Sequence, residues 1–181
     1  MTRARLLRQL FTESLLLAGA GGVMGLAVAW LDNANPTRLD PESNACGVAK
    51  NYCVVAPGGV ITTGTNDPPS TPDYWQWFGT SLAAPQVTGT VALVWEAFPY
   101  FDNDLVRQTI LGSATDLGAP GVDAVFGYGL LNVGKAVKGP SQFNWGDVDV
   151  AFDGITSTWS NPITGAGGLI KNGNGTLVLS G

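Results

Sequence analysis

Histidine is absent from this sequence of 181 residues. Imidazole is the side chain whose ordinary pKa lies nearest neutrality and the commonest metal ligand. A histidine general base and a histidine-ligated metal centre are therefore both excluded within this polypeptide. Basic residues are scarce too, with nine Lys and Arg against fourteen Asp and Glu. Arg3, Arg5, Arg8 and Arg38 sit at the start; beyond them only Lys50, Arg107, Lys135, Lys138 and Lys171 face the bulk of the carboxylates. No basic stripe remains for nucleic acid. Cysteine is limited to Cys46 and Cys53, too few sulfurs for a thiolate metal site without other ligands. Present in quantity are 25 glycines, 11 prolines and six tryptophans, with charge held to 13%. That balance suits a loop-rich exported chain better than a charged helical one.

The first segment, Met1 to Leu31, carries three arginines and then no charge from Ser14 onward. It reads as one apolar helix, near the lower length limit for crossing a bilayer. As a signal peptide it would be cut after Ala27-Val28-Ala29. As an anchor it would keep its arginines in the cytoplasm and use Gly21 and Gly25 for close packing. A buried soluble helix is the third reading. Under either targeting reading the membrane is a partner through this helix and the remainder is exported.

Asp32 to Ser43 is polar and unpatterned, with Pro36 and Pro41, and reads as a linker. Cys46 and Cys53 either close a small loop disulfide or remain two buried thiols. Tyr52 to Ala56 is apolar and β-branched, a strand stopped by Pro57-Gly58. Thr62 to Asp73 reads as a loop. Tyr74, Trp75, Trp77 and Phe78 fit core packing and the wall of a substrate cleft equally well.

Gly79-Thr80-Ser81 then opens an almost wholly apolar helix, containing Leu82, Ala83, Val87, Val91 and Val94, which is expected to run through a domain interior. Its free N–H groups and positive dipole end would point at whatever reacts with Ser81. Taken alone, Ser81 or Thr80 also makes an ordinary helix cap. A second amphipathic helix follows the cap Asp102-Asn103 and ends at Gly112, and Asn132 starts a short helix through Val137. Asp102, Asp104, Asp116 and Asp123 stand where caps and turns favour aspartate, and no catalytic role is assigned to them.

Gly79-Thr80-Ser81-Leu82-Ala83-Ala84-Pro85-Gln86-Val87-Thr88-Gly89 resembles the nucleophile signature G-T-S-x-A-x-P-x-V-x-G of subtilisin-like serine proteases at every defined position. Val54-Val55-Ala56-Pro57-Gly58 resembles that family's A-P-G turn, and Gly127-Tyr128-Gly129-Leu130-Leu131-Asn132 its closing segment. The resemblance implies that Ser81 attacks a peptide carbonyl, with a peptide or protein as substrate and no cofactor or metal. It also implies an aspartate, a histidine and an oxyanion asparagine from segments upstream of Asn44, none of which is recognisable here. Paired cysteines before the A-P-G turn occur in the autotransporter branch of the family, which favours the Cys46–Cys53 disulfide.

Gly167 to Gly181 resembles an autotransporter passenger repeat, G-x-L-x-K-x-G-x-G-T-L-x-L-S-G, in which Leu169, Leu177 and Leu179 would fill the inside of a parallel β-helix coil. Arg5 to Leu17 is similar to a transmembrane helix of ABC-type exporter permeases.

The resulting expectation is an α/β chain in four parts. Residues 1–31 form the apolar helix and 32–43 a linker. Residues 44–138 form the C-terminal part of a subtilisin-like three-layer domain with a mostly parallel sheet, and 139–181 the short strands of an incipient β-helix. The expected activity is that of a serine endopeptidase whose histidine, aspartate and asparagine would come from a missing N-terminal half of the domain, so that this polypeptide is inactive alone. The rival expectation is a membrane-tethered, non-catalytic surface or interaction module that retains the motif without using it.

Overall fold

The computed structural model describes residues 26–64, 67, 68, 70, 71 and 73–181. Residues 1–25 of the expected apolar helix lie outside that set. Its last residues do not: Ala27–Leu31 is a strand, β1, paired in parallel with β2, Cys53–Pro57. The helix reading is corrected there. Strands buried on both faces read as continuous apolar runs, and such runs share their composition with membrane helices. Among the described residues no helix is long and apolar enough to cross a membrane.

The segment expected as a linker folds back onto β1. Asp40 N–H donates to the Trp30 carbonyl, and Trp30 N–H to Ser43 Oγ. Arg38 pairs with Asp32 at 2.5 Å. The Ala34 amide, seconded by Arg38, holds the Asp32 carboxyl below its usual range.

A 3-10 helix, Gly47–Tyr52, leads into β2, and Cys46 and Cys53 at its two ends are joined as a disulfide. Backbone bonds from Cys46 N–H to Val125 O and from Gly47 N–H to Ala124 O tie this loop to the turn that precedes the closing segment. A loop this short is worth about 2 kcal/mol through its restriction of the unfolded chain. Reduction should therefore lower the urea midpoint by that equivalent. Equal midpoints with and without reductant would contradict it.

β2 is the central strand. On its far side Gly129 to Leu131 runs parallel to it, with Val55 N–H donating to Gly129 O and Leu131 N–H to Val55 O. Gly129 has a φ of +100°, and a Cβ there would lie 2.1 Å from the Thr115 carbonyl oxygen, so only glycine lets the closing segment reach the sheet. β3, Gly59–Thr63, and β4, Tyr74–Phe78, form an antiparallel hairpin on either side of the expected loop, of which β3 takes only Thr62 and Thr63.

The helix α1, Thr80–Ala97, packs on β1 and β2. It buries Ala83, Val87, Thr90 and Val94, a single stripe at helical spacing. Ala84, Pro85, Ala92 and Leu93 are exposed on the opposite side, so in this polypeptide α1 lies on the sheet instead of running through an interior. α2, Asn103–Ser113, starts at the expected cap, with Asp102 accepting from Leu105 N–H at 2.8 Å. α3, Val133–Ala136, is capped by Asn132.

Six short strands complete the chain: β5 Gln142–Phe143, β6 Val148–Ala151, β7 Thr156–Trp159, β8 Thr164–Gly165, β9 Leu169–Asn172 and β10 Thr176–Leu179. They pair in parallel as β5 with β8, β6 with β9 and β7 with β10. Each strand thus meets one that lies 20 to 22 residues further along the chain. Phe143, Val148, Val150 and Trp159 are buried and belong to the same apolar core as α1 and α2. Leu169 and Leu177 pack against that core, but Leu179 is 55% exposed. In register Leu179 pairs with the buried Trp159, so it shares the inward face expected of it while itself remaining exposed.

Candidate active site

Gly79 precedes α1 with a φ of +133°, a conformation that L side chains rarely adopt. The chain therefore turns sharply out of β4 and into the helix, which leaves Ser81 exposed in its first turn. A glycine cap offers no side-chain acceptor, and none is made. Leu82 and Ala83 N–H groups close on the Gly79 carbonyl. The Thr80 and Ser81 amides have no acceptor among the described residues, as expected of the first positions of a helix. A reacting carbonyl oxygen brought to Ser81 Oγ would meet those amides and the positive end of the helix.

The A-P-G turn lies directly against this elbow. Gly79 N–H donates to the Gly58 carbonyl at 3.0 Å. Gln86, one of the undefined positions of the nucleophile signature, sends its amide nitrogen to the Pro57 carbonyl at 2.5 Å and to the Leu82 carbonyl at 3.1 Å. Sequence reasoning passed over Gln86 because a glutamine on a helix carries no signal of its own.

The aromatics before the elbow are on the surface. Tyr74, Trp75, Trp77 and Phe78 are all exposed along β4, and Phe78 reaches back to Trp30 with ring centroids 6.3 Å apart. At the far end of the hairpin, Asp67 accepts from Gly64 N–H, Asp73 N–H and the Trp75 indole. The Gly64 amide is the largest of the influences that hold its carboxyl below the ordinary range.

The other polar candidates have structural partners. Asp102 caps α2; Asp104 binds Arg107 and Gln108. Asp116 accepts from Gly121 N–H, and Asp123 from Val125 and Phe126 N–H. Lys171 donates to Gly173 O and lies over the Phe152 ring. Lys50 sits in the 3-10 helix, and Lys135 and Lys138 within and just beyond α3. None of these elements carries Ser81. No group of His, Cys, Asp and Glu among the described residues is arranged to hold a metal ion.

Comparison with known proteins accounts for this arrangement. The model of the subtilase family, peptidase S8, matches residues 18–129. The chain is 42% identical over 146 residues to the Neisserial autotransporter lipoprotein NalP of Neisseria meningitidis, covering 79% of this chain and 13% of that protein. It is 31% identical over 206 aligned residues to an extracellular serine protease of Serratia marcescens, covering 82% of this chain and 19% of the protease. Among solved structures, fervidolysin from Fervidobacterium pennivorans, a keratinolytic enzyme related to subtilisin, superposes with a TM-score of 0.56 at 29% identity. The match covers 72% of this chain and 22% of fervidolysin. The chain thus spans less than a fifth of the length of these curated relatives. The family match takes in β1, β2, the hairpin, the Ser81 elbow, α1 and α2, and the chain belongs to the subtilase family.

Proposed function

We propose that Ser81 is the acyl-forming nucleophile of an exported endopeptidase of the autotransporter type. The observation that carries this reading is the elbow itself: an exposed serine one residue into a helix, behind a positive-φ glycine, within a complete family signature. In the reaction Ser81 Oγ bonds to the peptide carbonyl carbon while its proton passes to a base. The proton then goes to the departing amine as the C–N bond breaks, and water hydrolyses the acyl-enzyme by the same route in reverse. The chain's own contribution is the nucleophile together with the N–H donors and dipole of the α1 N-terminus. It supplies no histidine to act as that base.

The missing groups would come from polypeptide bearing a histidine, an aspartate and an oxyanion asparagine. Its packing surface would be the exposed apolar side of α1, around Ala84, Ala92 and Leu93, which an interior helix of a three-layer domain would cover. Export agrees with the Cys46–Cys53 disulfide and with the similarity to NalP, an autotransporter lipoprotein, and to the extracellular Serratia protease. The three parallel ladders beyond Gly139, each returning after 20 to 22 residues, support reading residues 139–181 as the first coils of a β-helix, with 44–138 as the protease part. The absence of histidine favours the second reading, a surface module that binds without cutting, for this polypeptide in isolation.

Co-folding the chain with a polypeptide that carries the three missing groups tests the first reading. Fluorophosphonate labelling should then appear on Ser81 and vanish in Ser81→Ala. Labelling that survives that substitution would remove Ser81 from the mechanism.

A further inference from the structure

We propose that Gln86 is a positioning residue for Ser81, a clamp that holds the A-P-G turn against the first turn of α1. The inference rests on Ser81 being the nucleophile. Two features leave this turn poorly held from within the helix. Gly79 supplies no side-chain cap, and Pro85, four residues after Ser81, lacks the N–H that would have closed on the Ser81 carbonyl. The turn is held from outside instead. Gly79 N–H reaches the Gly58 carbonyl at 3.0 Å. Both N–H bonds of the Gln86 carboxamide are committed, one to the Pro57 carbonyl at 2.5 Å and the other to the Leu82 carbonyl at 3.1 Å.

The geometry is that of a bracket. Pro57 ends β2, the central strand, and Gly58 follows it; their consecutive carbonyls hold the elbow on either side of Ser81 in sequence: Gly58 through Gly79, and Pro57 through Gln86. Ser81 is exposed, so packing does not set the height at which its hydroxyl leaves the helix. The bracket transmits the position of the sheet to that hydroxyl, and a displacement of about 1 Å at a reacting group is enough to cost two orders of magnitude in rate. Gln86 does not touch the reacting atoms in this arrangement; it acts through the turn that carries Ser81.

The test needs no turnover. Amide exchange is measured at Gly79, Leu82 and Ala83, with the Ser81 amide chemical shift as the readout of position, in the full chain and in Gln86→Met, which keeps length and bulk but has no donor. The expected result is exchange about five- to tenfold faster at those three amides and a shifted Ser81 resonance, with Val106 and Ile110 in α2 unchanged. Gln86→Lys, which restores an N–H donor on a long side chain, should recover at least part of the protection. Unchanged exchange at Gly79 and Ala83 in Gln86→Met would overturn the proposal, and so would a uniform rise that includes α2, because Gln86 would then be a general stability contact. Failure of Ser81 to label in the co-folded protease would count against the nucleophile and leave this exchange pattern intact, so the two failures are separable.

Discussion

Purified by itself, the 181-residue polypeptide is expected to cleave no peptide substrate, and to label with a fluorophosphonate no more than its Ser81→Ala variant does. The elbow supplies a hydroxyl, free amides and a helix dipole. An exposed helix end contributes about 0.3–1 kcal/mol to a nearby negative charge. Removing a serine protease's base costs about 10⁶ in rate, roughly 8 kcal/mol, so the dipole falls short of that gap by an order of magnitude in energy. Lysine is the remaining basic side chain able to give up its proton. Lys171 is engaged with Gly173 and Phe152, and Lys50, Lys135 and Lys138 belong to elements other than the Ser81 elbow. Peptide hydrolysis lost in Ser81→Ala but retained after each lysine is replaced in turn would sink this account. Hydrolysis lost with a single lysine would identify the base.

The second large effect lies where the C-terminal strands meet the helices. Trp159→Ala should destabilise the chain by about 3–5 kcal/mol, read as a lower urea midpoint. Trp159 is fully buried, edge-on to Phe101 and Phe143. Its indole N–H donates to the Tyr100 hydroxyl at 3.0 Å, and that hydroxyl lies 2.7 Å from Ser157 Oγ. Tyr100 also stacks on Phe152 with centroids 4.2 Å apart. Gly139 passes so close that a Cβ there would meet the Trp159 ring at 2.9 Å. Asn161, buried beside them, donates to the Lys135 carbonyl at 2.8 Å. These contacts place the strands beyond Gly139 in one core with α1 and α2, so fluorescence and far-ultraviolet dichroism should report one coincident transition. A variant that loses the β signal while the helices keep their wild-type midpoint would show that the joint does not couple them.

The same joint has a pH signature. Burial raises the Tyr100 pKa, and its bonds to Ser157 and Trp159 only partly offset that. A raised tyrosine pKa means that the native state favours the neutral hydroxyl. The stability it adds is complete below the ordinary tyrosine range and declines as pH climbs through it.

Much of the candidate site was legible before any coordinates. The Gly79-Thr80-Ser81 signature, the A-P-G turn and the closing segment are local patterns, and each imposes its backbone conformation through glycine and proline. The caps Asp102 and Asn132 were legible for the same reason, because a side chain three residues from an amide needs no tertiary contact to find it. The disulfide had to be chosen from two open readings, with the family resemblance favouring it.

What only the tertiary structure decided depends on partners distant in the sequence. Ala27 to Leu31 has the composition of a membrane helix and becomes a strand because β2 lies beside it, in register from Cys53 to Pro57. Gln142–Phe143 and Thr164–Gly165 are too short to show a period of their own, and exist as strands because each supplies the other's hydrogen bonds. Leu179 carries the same apolar signal as Leu169, yet stays exposed because burial depends on what lies above a residue. Gln86 is an ordinary helical residue until the Pro57 carbonyl comes within 2.5 Å of it. The sequence by itself determined the elbow with its exposed serine motif, the helix caps and the lack of histidine, since each of these is written within a few consecutive residues or in the composition. The sheet around the elbow, the bracket that holds it and the joint behind it came from the tertiary fold, because hydrogen bonds and burial between residues far apart along the chain arise only when packing brings them together.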